Sequence, residues 1–319
     1  MNESKISVII PVLNQEKKIE QCLEAVFAQS LQPYEVIVVD GHSTDGTVEK
    51  AQRFPVKIFY QEYGAAGAAR QIGVEKAEGE YLAFIDSDCI PDKNWLKTLT
   101  SEFEDDIVAV GGGMKNIGTG LWNNSINLSL SNFLGNANQL QAAIFREKRL
   151  VKELGLFNSI YRKKYILEVG GFNIHLAGAD ETELNKRISK KGKLLYTPDT
   201  VVLHDHGRGL REFAQNMYRY GTWRRQSRVL DLPAIPPLLA PLLLLSLIFT
   251  RWVFLPLLAL YFIILVVIAA KFVIQEKNIR YFFSIPVVYL TEHICYIIGF
   301  WKEVLFPHKM DKVSGKQPS

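Results

Sequence analysis

YLAFIDSD, residues 81–88, is an apolar run that ends in two carboxylates, Asp86 and Asp88, around one serine. The run reads as a buried strand of a parallel sheet. Its carboxyl end is where open α/β sheets form their ligand crevices. Residues i and i+2 of an extended segment point the same way, so the two acids are expected on one side. Like charges so placed repel unless a cation sits between them. Carboxylate oxygens suit a hard divalent ion such as magnesium or manganese, and such an ion can hold a diphosphate. Alone, an Asp-x-Asp triplet is most often a solvated turn. Its surroundings decide between the two.

Outward from this stretch, strands and helices alternate. Residues 6–11, 35–40 (EVIVVD) and 56–61 read as strands, and 16–29, 44–53 and 65–77 as helices. After 81–88, a helix is predicted over 95–103, a strand over 107–111, and a helix of mixed polarity over 121–152. A helix over 180–191 and a strand over 194–203 follow. This alternation predicts an α/β domain with a mostly parallel sheet and right-handed crossovers.

The chain has 319 residues, room for one large α/β domain and an appendage. A net charge of +4 is too small to imply a nucleic-acid partner. Cys22, Cys89 and Cys295 are odd in number and lack metal-ligand spacing, so they read as reduced thiols in a reducing compartment. The first residues, MNESKISVIIPV, read as a first strand rather than a signal peptide.

From Leu232 the chain is far more apolar. Residues 233–250, 252–270 and 281–301 are three stretches near the ~20 residues that cross a bilayer. Prolines 233, 236, 237 and 241 crowd the first, and Glu292 and His293 interrupt the third. The expected organisation is therefore a domain over 1–231, a membrane domain over 232–301 and a polar tail over 302–319. Eleven lysines and arginines from 186 to 228 precede the first span, and Lys271, Lys277 and Arg280 lie between the second and third. The positive-inside rule then places the N-terminal domain in the cytoplasm of a multi-pass cell-membrane protein. The basic tail after 301 argues against a third full crossing, and the alternative is a re-entrant or interfacial segment.

Five motifs now stand in order: PVLNQE at 11–16, VVDGHSTDGT at 38–47, GAAGAARQIGVEKAEGEYLAFIDSDC at 64–89, GGF at 170–172 and GADETELNKRISKKG at 178–192. Together they resemble family 2 of the glycosyltransferases, inverting enzymes of the GT-A fold, over roughly residues 6–220. The resemblance implies a nucleotide-diphospho-sugar donor bound by Pro11, Asn14, Asp40, Arg70 and Asp86, with Arg70 pairing a phosphate. It implies Asp88 as ligand to Mn2+ or Mg2+, and His204, at the end of the strand that returns near the metal, as a further ligand. Gly41, Gln15 and Gln71 depart from common family residues.

The resemblance also places the catalytic base in 178–192. Asp180 and Glu183 have the spacing of a capping box, which leaves Glu181 in the first turn without a structural task. Adjacent helical residues point about 100° apart, so one of Asp180 and Glu181 can cap while the other faces the site. Counting back from Gly192 puts the family's base on Glu181, with Asp180 as the alternative. Arg208, Arg211 and Arg219 belong to a basic run that is either a lipid-facing anchor or a contact for acceptor or phosphate. Gln215 and Arg219-Tyr220 are one residue too long for the Gln-x-x-Arg-Trp of processive synthases. The expected activity is metal-dependent transfer of a sugar to a lipid or lipid-linked glycan. Transfer to a polyprenyl phosphate and a non-catalytic, nucleotide-sugar-binding membrane scaffold are the alternatives.

Overall fold

The structure is a computed structural model that describes residues 5–62, 64–131, 134–135, 146–176, 178, 180–205, 209–227 and 234–307. Its centre is a nine-stranded sheet. The first half is parallel: β1 (Ile6–Val12), β2 (Glu35–Asp40), β3 (Lys57–Tyr60) and β4 (Tyr81–Phe84), in the order β3-β2-β1-β4. Every residue of β2 is buried, as expected for a strand covered on both faces. Side chains alternate between two cores. Val8, Ile10, Val36 and Val38 enter one with α1 (Ile19–Phe27), and Ile9, Ile37 and Val39 enter the other with α3 (Ala66–Lys76). Gly73 of α3 lies against β1, where an added Cβ would come 2.4 Å from Ile9 Cγ2.

The second half of the sheet is mixed. β5 (Cys89–Pro91), β6 (Ile107–Ile117), β7 (Arg149–Val151), β8 (Ser159–Arg162) and β9 (Lys193–Asp205) extend it in the order β4-β8-β6-β9-β5, with β7 also on β9. β8, absent from the sequence reading, is wedged antiparallel between β4 and β6. Two expectations need correction. The helix foreseen over 121–152 is α5, only Leu121–Leu130, and by residues 149–151 the chain is the strand β7. Phe133 and Phe145, within the foreseen helix, lie outside the described residues. The strand foreseen to reach Asp88 ends at Phe84, and Asp86–Cys89 is a turn closed by Cys89 N donating to Asp86 O at 3.0 Å. Strand periodicity therefore does not place Asp86 and Asp88.

Short helices α2 (Thr47–Ala51), α4 (Trp95–Ser101) and α6 (Lys163–Glu168) cover the sheet, and α7 (Asp180–Ile188) precedes β9. Beyond β9, α8 (Leu210–Ser227) leads to three apolar helices, α9 (Ile235–Phe249), α10 (Arg251–Glu276) and α11 (Tyr281–Leu305). By length and composition α10 and α11 can cross a membrane. α9, expected as the first span, has 15 residues and is about 22 Å long, short of the ~30 Å hydrocarbon thickness. α11 is continuous through Glu292 and His293. The apolar helices turn large side chains outward: Ile248 is 73% and Trp252 81% exposed. An apolar surface of this kind calls for a covering of lipid or protein.

Candidate active site

The loops after β1 and β2 are laced together. Asn14, at φ 53°, accepts from Thr44 N through Oδ1 at 2.8 Å, and its own N–H donates to Ser43 Oγ at 2.8 Å. Asp40 is buried, and its two carboxylate oxygens accept from Ser43 N and Ser43 Oγ at 2.9 and 2.6 Å. In the structure it is thus engaged as a turn aspartate. Pro11 and Gly41 line the cavity above these strand ends.

That cavity encloses about 700 Å³. One wall is the start of α3. Gly67 lets α7 approach, since an added Cβ would lie 2.9 Å from Asp180 Cβ. The approach seats Arg70, 6% exposed, between two carboxylates: Nη1 donates to Asp180 Oδ2 at 2.8 Å and Nη2 to Asp86 Oδ1 at 2.9 Å. Arg70, foreseen on a phosphate, holds Asp86 and Asp180 in place, and its buried Nε has no partner among the described residues.

The foreseen capping box is not formed. Asp180 is taken by Arg70, and Glu183 by Arg187, whose Nε and Nη2 donate at 2.7 and 2.6 Å. Arg187 also reaches the carbonyls of Val169 and Gly171. Gln71 Oε1 accepts from Phe172 N at 2.8 Å. The GGF turn is thereby tied to both α7 and α3, with Gly170 and Gly171 at φ 85° and 74°. Glu181 lines the cavity. Burial, then the carboxylates of Asp180, Glu153 and Asp86, push its pKa up from 4.5 to about 8 against the opposing charge of Arg70. Glu153, whose Oε1 accepts from Thr182 Oγ1, lines the same cavity. Nothing in its sequence context singles it out.

Asp88 reaches the cavity by another route. β5 runs antiparallel to β9 with Cys89 opposite His204, and Asp205 N donates to Asp88 O at 3.1 Å. This register brings His204 Nε2 to 3.1 Å from Asp88 Oδ1. The ligand atoms of Asp88, Cys89 and His204 all lie within 4.8 Å of one another. Burial and the carboxylates of Asp86 and Asp88 push the Cys89 thiol well up, so it stays protonated and is a poor ligand. A carboxylate oxygen and an imidazole nitrogen facing an open cavity fit a divalent ion completed by phosphate oxygens and water.

Of the basic run, Arg208 lies outside the described residues, and Arg211 and Arg219 are exposed on α8 and do not line the cavity. The face of α8 that does so carries Met217, Tyr220 and Arg224, at i, i+3 and i+7. The missed signal was this helical spacing, hidden among neighbouring arginines.

Residues 7–170 match the model of glycosyl transferase family 2. Glycosyltransferase AglE of Haloferax volcanii is 31% identical over 240 residues, 71% of this chain and 75% of AglE. Glycosyltransferase GlyG of Streptococcus pneumoniae is 35% identical over 106 residues, 31% of this chain and 35% of GlyG. Among solved structures, the mannosyltransferase PcManGT of Pyrobaculum calidifontis, in complex with GDP-Man and Mn2+, superposes with a TM-score of 0.62 at 17% identity, over 96% of this chain and 88% of that one. Residues 1–349 of S. aureus TarS, in complex with UDP-GlcNAc, superpose with a TM-score of 0.52 at 18% identity, over 94% and 92%. The fold is thus the GT-A fold anticipated from the motifs, followed by long apolar helices, and the chain belongs to glycosyl transferase family 2 and is a glycosyltransferase.

Proposed function

We propose that this is a membrane-anchored, inverting glycosyltransferase that moves a sugar from a nucleotide-diphospho-sugar to a hydroxyl of a lipid or lipid-linked glycan. One observation carries the proposal. A single cavity joins the Asp88–His204 pair, Glu181 and the inner face of the apolar helix α11. The donor's nucleotide is assigned to the strand ends at Pro11 and Gly41, beside Asn14 and Asp40. Asp86, fixed by Arg70, faces the ribose and diphosphate. PcManGT and TarS, which share the fold, are described with nucleotide-sugars, and this supports a donor of that class.

Asp88 and His204 would hold a divalent cation, Mn2+ or Mg2+, which when bound neutralises charge on the leaving diphosphate. Glu181 accepts the proton of the acceptor hydroxyl. The hydroxyl oxygen bonds to the anomeric carbon from the face opposite the leaving group. The anomeric C–O bond to the diphosphate breaks, and its electron pair leaves with the nucleoside diphosphate. Arg70 holds Asp180 beside the base through its hydrogen bond, a positioning role. Residues 1–231 form the cytoplasmic catalytic unit, and 232–301 the membrane domain of a multi-pass cell-membrane protein, followed by the tail over 302–319.

The test is donor turnover by the full chain in lipid nanodiscs across UDP-, GDP- and dTDP-sugars, with Mn2+ or Mg2+ and a lipid extract. Cation-dependent turnover of one donor, lost in Asp88→Ala, is expected. Donor binding without turnover or hydrolysis across the panel would favour the scaffold.

A further inference from the structure

Glu292 and His293 stand near the middle of α11, a largely apolar helix. A carboxylate there is costly unless it faces protein or a polar cavity. It does face one: Glu292, His293, Tyr296 and Ile297, at i, i+1, i+4 and i+5 on one helix face, line the same cavity as Asp88 and Glu181. His293 Nδ1 is 2.8 Å from Tyr261 Oη of α10, which fixes its ring. Glu292 is different: its Oε2 is buried and has no hydrogen-bond partner among the described residues. A buried, unsatisfied carboxylate oxygen at the edge of a cavity is a costly feature that a ligand's donor would relieve.

The geometry points to an acceptor subsite on α11, in which Glu292 receives the hydroxyl-bearing head group of a sugar-carrying lipid. The inference rests on the transferase reading of the cavity and narrows its acceptor class. A carboxyl group can exchange hydrogen bonds with sugar hydroxyls in either protonation state. Beside α11, Tyr220 and Trp223 of α8 offer aromatic surfaces to the C–H side of a sugar ring, and Arg224 lines the cavity at this end. Pro236 and Ile297 make the remaining wall apolar, suited to the first carbons of the lipid chain.

The test uses the full chain in phosphatidylcholine nanodiscs, with octyl β-D-glucoside and farnesyl phosphate as probes of equilibrium binding, read by tryptophan fluorescence. The glucoside is expected to bind wild type and to bind Glu292→Leu about tenfold more weakly, the loss of one hydrogen bond. Glu292→Gln, which keeps an acceptor oxygen, should fall between them. Farnesyl phosphate, which lacks sugar hydroxyls, should bind wild type more weakly than the glucoside does. Nucleotide binding serves as the fold control for both variants. Equal glucoside affinity in wild type and Glu292→Leu, or wild type preferring farnesyl phosphate, would overturn the subsite. Failure of the transferase reading would look different: glucoside binding that depends on Glu292, with no donor turned over.

Discussion

Gly221 of α8 and Gly299 of α11 bring two helix backbones into contact. A Cβ on Gly221 would lie 2.0 Å from Tyr296 O, and one on Gly299 1.9 Å from Tyr218 O. Thr222 Oγ1 donates to Gly299 O at 3.2 Å across the same crossing. Small residues permit such close approach of helix backbones. Because Tyr220, Trp223, Tyr296 and Ile297 flank the crossing, it also sets the shape of the acceptor end of the cavity.

Gly221→Ala and Gly299→Ala should each destabilise the protein by about 2–3 kcal/mol, since backbone rather than a flexible side chain must move. Thermal unfolding in nanodiscs measures this. Gly209→Ala, with no atom within 4 Å of its added Cβ, should change stability by no more than about 0.5 kcal/mol. Equal midpoints for all three would remove the crossing from the fold's support.

Arg70 joins Asp86 to Asp180 across 94 residues of sequence. Arg70→Ala leaves two acids without their cation and should cost about 3–5 kcal/mol. Arg70→Lys keeps the charge but lacks the fork that reaches both, so transfer should fall while the fold survives. In a double-mutant cycle with Asp180→Ala the costs should be less than additive. Strict additivity would show that the pair is not coupled.

The cation site can be separated from its neighbour by substitution. His204→Ala should raise the Mn2+ concentration for half-maximal activity by about tenfold or more, through loss of one protein ligand. Cys89→Ser, altering a thiol held protonated, should leave that concentration within about twofold. A shift with Cys89→Ser and none with His204→Ala would reverse the ligand assignment.

Glu181 gives a pH signature of known sign. As a base it must be ionised, so kcat/KM should fall as pH drops below about 8. Stability should move the other way. The folded-state pKa is raised, so this group's contribution is fully present below 4.5 and lost as pH rises through about 8. Glu181→Gln should therefore gain stability relative to wild type, on the order of 1–3 kcal/mol at pH 8, and little at pH 5. A wild-type profile flat from pH 6 to 9 would contradict the base assignment.

The parallel half of the fold was legible because β1, β2 and β4 are short apolar runs separated by helices of clear period. β8, with the sequence Ser-Ile-Tyr-Arg, was not, because four residues carry too little periodicity and their antiparallel insertion depends on distant partners. The carboxylates 86, 88, 180 and 181 were legible as a set, but their partners were not. Asp88 meets His204 only through the β5–β9 register, and Asp180 meets Arg70 only because Gly67 admits α7. The cap pattern at 180–183 misled because arginines outcompete backbone N–H groups for both acids. On α8, arginines on several faces concealed that only Arg224 turns to the cavity.

The most direct measurement is transfer by Glu181→Gln, made beside donor binding in the full chain with the donor that wild type turns over. Transfer to a hydroxyl acceptor should fall by about 100-fold or more, the usual worth of a general base, with donor affinity within a few-fold of wild type. Full activity in Glu181→Gln would contradict the account, and would point to an acceptor that is already anionic, such as a polyprenyl phosphate.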